Sequence, residues 1–172
     1  TDHSPLTTEH LSAADRWILS KLQGAITRVT KALDDMLFND AATALYDFLW
    51  HDFCDWYLEV AKVQLAQGSG LGAPGKITES AAQSPQPRAL SQTRAVLVHV
   101  LETSLRLLHP VMPFVTETLW QQLKTVASDQ WPVISEGRTP LTTSIMVAPW
   151  PKVAKKLIDL ENEKEFTIDE KQ

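Results

Sequence analysis

Apolar residues recur along the start of the chain at Leu11, Ile18, Leu22, Ala25, Val29, Leu33 and Met36. Spacings of three, four and seven draw one seam down a helix over about 12–37. Ser12 can cap that helix, with Asp15 where the Glu or Gln of a capping box usually stands. Asn39 offers the next cap, for a second helix over about 40–66. Its apolar positions (Ala41, Ala44, Leu45, Phe48, Leu49, Phe53, Trp56, Tyr57, Val60 and Val63) cover more than one stripe, which predicts a central helix and the most buried element. Seven of the 13 aromatic residues lie between Phe38 and Tyr57, so they are expected to anchor the core rather than to present a stacking platform for bases.

Residues 67–89 are rich in glycine and proline and read as a flexible surface loop. A third helix over about 90–108 follows on Leu90, Leu97, Leu101, Leu105 and Leu108, and Pro110 ends it by removing a hydrogen bond and clashing with the preceding turn. Pro113 can open a fourth helix over about 113–127, burying Val115, Leu119, Trp120, Leu123 and Val126. Ser144 to Val147 reads as a short strand-like run, held extended by Pro149-Trp150-Pro151. The expected fold is therefore all-α: a bundle of four main helices with a short extended C-terminal segment. Beyond Lys152 the chain turns charged, and Leu157 to Gln172 reads as a frayed helical start.

With 172 residues, 44% hydrophobic and 22% charged, the chain can bury one core. It shows neither the apolar run of a membrane span nor a signal pattern at its start, so a soluble, cytoplasmic protein is expected. Cys54, the single cysteine, lies in an apolar helical pattern and is expected to be a buried, inert thiol. The net charge of -5 disfavours non-specific nucleic-acid binding, so any RNA site must be a local stripe. Residues 1–67 carry ten acids against five bases, residues 68–151 five against six, and residues 152–172 six against five.

Several motifs tempt and fail. Gly70 to Lys76 approaches both a dinucleotide fingerprint and a phosphate loop, but Ile77 stands where a phosphate loop needs Ser or Thr, and a helix rather than a strand precedes it. His3, His10, His51, His99 and His109 show no zinc-like spacing with one another or with Cys54, so no metal site is expected. No nucleophile stands in a recognisable elbow, and no catalytic residue is assigned. Asp47, His51, Asp55 and Glu59, four apart, fit a solvated face better than acid–base chemistry.

One stripe carries more. Trp17, Lys21, Gly24, Arg28 and Lys31 follow spacings of four, three, four and three, lining one helix face with an aromatic ring and three cations. An unstacked RNA loop is bound by that combination, cations on phosphates and a ring under a base. A buried Trp17 beside solubilising cations is the plain alternative. His99, Glu102, Arg106 and His109 form a smaller line, with Arg106 open to a phosphate contact or an ion pair with Glu102.

Four blocks then resemble one family. Ala14 to Leu22 (ADRWILSKL) is similar to the opening helix of the anticodon-binding domain in class I aminoacyl-tRNA synthetases for branched aliphatic amino acids. Ala44 to Phe48 (ALYDF) with Phe53 to Glu59 (FCDWYLE), Leu105 to Trp120 (LRLLHPVMPFVTETLW) and Ser144 to Pro151 (SIMVAPWP) look specifically like the valyl-tRNA synthetase branch. The blocks stand in family order over about residues 13–151.

The resemblance implies a bundle that grips the anticodon stem and loop of a valine-specific tRNA, inside a monomeric ligase of protein biosynthesis that uses ATP. On that reading residues 1–11 are a linker from an absent catalytic domain, 12–151 the bundle, and 152–172 the start of an absent C-terminal segment. The His-Ile-Gly-His and Lys-Met-Ser-Lys-Ser type signatures that bind ATP in the family do not occur here, so no cofactor is expected in this fragment. The RNA contacts that the resemblance favours are Trp17 stacked on a loop base, with Lys21, Arg28 and Arg16 on phosphates; Lys31, from the same stripe, and Arg106 are the further candidates for tRNA contact. The alternatives are an isoleucyl or leucyl sibling domain, or a helical protein–protein interaction module marked by a large exposed apolar patch.

Overall fold

A computed structural model describes residues 11–68, 87–127, 142–154 and 157. The Gly70 to Lys76 motif, most of the 67–89 loop and nearly all of the helix expected after Leu157 lie outside the described residues.

Helix α1 (Ala13–Asp34) opens with the expected capping box: the Asp15 amide donates to Ser12 Oγ at 3.1 Å and the Ser12 amide to Asp15 Oδ2 at 3.3 Å. The helix ends in a Schellman turn. The Leu37 amide reaches the Ala32 carbonyl at 2.7 Å and the Met36 amide the Leu33 carbonyl at 3.1 Å, with Met36 at a φ of 60° where glycine is usual. That turn moves the next helix start to Phe38, with Leu37 as a cap that offers no side-chain hydrogen bond, so Asn39 lies inside the helix rather than capping it.

Helix α2 (38–68) is continuous but changes pitch. It runs α-helical over Phe38–Asp47, π-helical over Phe48–Tyr57 and α-helical again over Leu58–Gly68. In an α-helix five residues overshoot a full turn by about 140°. The wider π turn, with hydrogen bonds reaching five residues back as from the Leu58 amide to the Phe53 carbonyl, brings Phe48 and Phe53 onto one face with Tyr57. All three are buried, while Phe38, Tyr46, Trp50 and Trp56 are exposed. The expectation that α2 is the most buried element is therefore corrected: α1 holds that place, burying Ala14, Trp17, Ile18, Leu19, Leu22, Ala25, Ile26, Val29 and Ala32 against α2 and α3 (Pro87–Leu108).

Helix α4 (Pro113–Ala127) opens at Pro113 as expected and packs on α3 in a smaller cluster of Leu105, Trp120, Leu123 and Ile145. Val115 and Leu119, expected in the core, are exposed: among the described residues α4 packs chiefly on α3 and on the segment around Ile145. The strand-like run proves to be a single 3₁₀ turn, Ile145–Val147, capped by the Ser144 hydroxyl. From there the chain straps the bundle. Glu117 Oε2 accepts from Ser144 Oγ and the Ile145 amide, the Pro149 carbonyl accepts from Arg106, Trp150 Nε1 donates to Thr30 Oγ1 at 2.9 Å, and the Ala154 amide donates to Gln23 Oε1 at 2.7 Å. Among the described residues the structure is helical throughout apart from turns and this strap, an all-α bundle.

A buried polar node joins three helices. Asp15 is almost fully buried and accepts from Tyr57 Oη at 2.6 Å and Thr93 Oγ1 at 3.3 Å, besides the Ser12 amide. Gln64 bridges the Ser12 hydroxyl and Thr93. Burial, followed by the neighbouring Asp15 charge, pushes the Tyr57 hydroxyl pKa up, so it stays a donor.

Two substitutions test these features by urea denaturation. Met36→Gly relieves the left-handed backbone of an exposed side chain and is expected to stabilise the fold by about 1 kcal/mol. Tyr57→Phe leaves Asp15 short of one donor and is expected to cost roughly 1.5–3 kcal/mol.

Candidate nucleic-acid interface

The α1 stripe divides when its side chains are placed. Trp17 is 5% exposed and belongs to the core. Lys21 Nζ lies over its ring, 5.5 Å from the centroid, and reaches Asp52 Oδ1 on α2 at 3.6 Å. A base cannot reach a ring covered in this way, so the stacking role expected of Trp17 is corrected to a packing role. Arg16 is half-buried beside it.

Two turns further along, Arg28 and Lys31 are exposed. A Cβ added at Gly24, between Lys21 and Arg28, would meet only the Arg28 guanidinium at 3.9 Å, so side-chain packing does not demand glycine there. The outer half of α1 thus presents two cations on an open face, leading into the turn that carries Met36, Leu37 and Phe38, all exposed, with Phe38 at 63%. Sequence reasoning misses Phe38 because it counts the aromatics of α2 together as core. The available signal is its position at the first residue of a helix, where a side chain has no preceding turn to pack on.

Arg106 is corrected as well. Its guanidinium donates to Glu102 Oε2 at 2.8 Å and to the Pro149 carbonyl at 3.1 Å, so it serves the strap instead of a phosphate. Burial raises the Glu102 pKa while Arg106 opposes it. Burial first, and the Arg106 charge second, lower His99 to about 4, so that ring is neutral at physiological pH. His109 Nδ1 lies 2.7 Å from Thr116 Oγ1, tying the α3 end to α4.

The remaining chemistry is bland. Asp47, His51, Asp55 and Glu59 all lie on the exposed face of α2. Cys54 is half-buried rather than fully buried, and burial together with Asp55 raises its thiol pKa, which leaves little thiolate to react. Among the described residues no group of three or more His, Cys, Asp or Glu is placed to hold a metal, and no helix is long and apolar enough to cross a membrane.

The described residues thus form an α-helical bundle with two exposed cations late in α1 and an exposed ring at the start of α2. The comparisons agree on its class. Residues 15–171 match the family described as the anticodon-binding domain of tRNA ligase, and the chain belongs to that family. It is 42% identical over 166 residues to a valine–tRNA ligase of Thermotoga maritima, covering 96% of this chain and 15% of that relative. A valine–tRNA ligase of Laribacter hongkongensis is 42% identical over 150 residues, 87% of this chain and 13% of the relative, and one of Mycobacterium leprae 46% over 125 residues, 71% and 12%. The valine branch is thus the one this chain resembles, and it spans about 15% or less of the length of those relatives.

His99 gives the site's surroundings a pH signature. Its pKa falls from 6.5 to about 4 on folding, so between those values the unfolded chain binds more protons. Its contribution to unfolding free energy is therefore complete above about pH 6.5, falls away as pH drops towards 4, and flattens in His99→Gln, as urea midpoints across that window will record.

Proposed function

We propose that this chain grips the anticodon stem and loop of a valine tRNA. It does so as the RNA-reading part of a longer, monomeric, cytoplasmic valine–tRNA ligase, whose other domains activate valine with ATP and join it to that RNA. Residues 12–151 form the reading bundle on this account, with 1–11 leading in from the catalytic domain, which works in cis, and 152–172 leading on to a further segment. The fragment itself performs no catalysis.

The observation that carries the reading is the open end of α1, where Arg28 and Lys31 are exposed and the following turn holds out Phe38. Cations there neutralise backbone phosphates while the ring receives an unstacked base. Lys21 and Arg16 extend the cationic line towards the start of the helix, Lys21 from beside Asp52. Phe38 takes the stacking role that the buried Trp17 cannot perform. The support for valine in particular is the likeness to valine–tRNA ligases.

Binding of an unmodified valine anticodon stem-loop at low salt, against a loop with its central anticodon base changed, tests this. The valine loop is expected to bind more tightly. Arg28→Ala and Lys31→Ala should each weaken both loops alike and lower the salt slope by about one unit, whereas Phe38→Ala should cost roughly 1–3 kcal/mol. Equal binding of the two loops would remove valine specificity from this chain, and a Phe38→Ala variant of unchanged affinity would remove the stacking role.

A further inference from the structure

The outward face of α2 carries an aromatic pair that RNA reading leaves unused. Tyr46 and Trp50 are 58% and 54% exposed, yet their rings lie parallel within 6° with centroids 6.2 Å apart. His51 meets the Tyr46 ring edge-on at 6.0 Å and approaches Asp55 Oδ2 at 3.4 Å. These side chains stand on the π-helical stretch or its approach, and a helix departs from α geometry over such a length more often where a function uses the displaced side chains.

The charge around the rings is one-sided. Asp47, Asp55 and Glu59 are exposed on the same face. Among the described residues of α2 the single Lys or Arg is Lys62, and it is already paired with Glu59. Asp52 points the other way, to Lys21 on α1. Phosphate is repelled from such a surface, but a guanidinium is matched twice over: its plane lies flat on an indole face, and its fork of N–H donors meets a carboxylate.

We propose that this face of α2 docks an arginine-bearing polypeptide segment, held by a guanidinium stacked on Trp50 and hydrogen-bonded to Asp47 or Asp55. Arginine is favoured over lysine because an ammonium ion is more strongly hydrated and cannot lie flat on the ring. These residues stand on α2, whereas Arg28 and Lys31 stand on α1, so variants of one set leave the other in place.

The test follows the indole N–H resonance of Trp50, assigned with Trp50→Phe, while a tetra-arginine peptide, a tetra-lysine peptide and the valine anticodon stem-loop are titrated in turn. Tetra-arginine is expected to move that resonance and to bind more tightly than tetra-lysine. Asp47→Asn with Asp55→Asn should weaken it about two- to fivefold, the scale expected when an exposed, ring-stacked guanidinium is deprived of its carboxylate partner. Both positions are exposed, so the variants keep their fold, which circular dichroism checks. An unmoved resonance overturns the proposal. So does equal weakening when Asp34 and Asp35 are neutralised instead, which would mean diffuse attraction, or a shift driven by the stem-loop, which would make this face part of the RNA interface. Loss of stem-loop binding in Arg28→Ala with the arginine response intact would keep the two readings apart.

Discussion

The bundle depends on one buried carboxylate. Asp15 closes the cap of α1, receives the Tyr57 hydroxyl from the π-helical stretch of α2 and the Thr93 hydroxyl from α3, and so fixes the mutual rotation of three helices at one point. A buried charge is tolerable only when its lone pairs are satisfied, and each donor here comes from a different part of the chain. None of the three elements can turn about its own axis without stranding the carboxylate. The hydrophobic contacts between helices are broad and forgiving of small slips, whereas this node has a single solution.

That rotation decides what reaches the surface. With Tyr57 drawn inward to Asp15, the π turns place Phe48 and Phe53 in the core and leave Trp50 and Trp56 outward. The chain is acidic overall: Arg28 and Lys31 stand exposed on α1 ahead of Asp34 and Asp35, and Asp47, Asp55 and Glu59 stand exposed on α2, with the Lys21–Asp52 pair joining the two helices. A net charge of -5 does not forbid a local cationic contact at Arg28 and Lys31, because the Debye length at physiological salt is about 8 Å and exposed charges are felt locally.

Much of this is legible in the sequence, and what is not has physical causes. The seam of Ile18, Leu22, Ala25 and Val29 gives the first helix within two or three residues of its ends, and Ser12 with Asp15 gives its cap. Pro113 marks the fourth helix, because proline costs nothing at a first turn. The second helix misleads because hydrophobic periodicity assumes α pitch. Phe48 and Phe53 share a face only in the wider turn, so an α-based reading spreads apolar residues round the helix and makes it look central. Asn39 loses its capping place to a Schellman turn that uses a methionine in the left-handed region, a choice no propensity favours. Trp17 is ambiguous in principle: spacing puts it beside the cations, and only the three-dimensional position of α2 buries it. Arg106 goes to its neighbour Glu102, as local ion pairing tends to prevail when both partners stand four apart on one helix.

The strap of residues 142–154 has a mechanical meaning. It begins on α4, where Thr142 accepts from Trp120, crosses α3 at Arg106 and finishes along α1 at Thr30 and Gln23. Without it α4 would be held, among the described residues, chiefly by α3. With it α1 and α4 are braced as a truss, and a pull applied to the chain near Ala154 is delivered to α1 at mid-length. Tension on that strand is therefore a force on the cation-bearing helix itself.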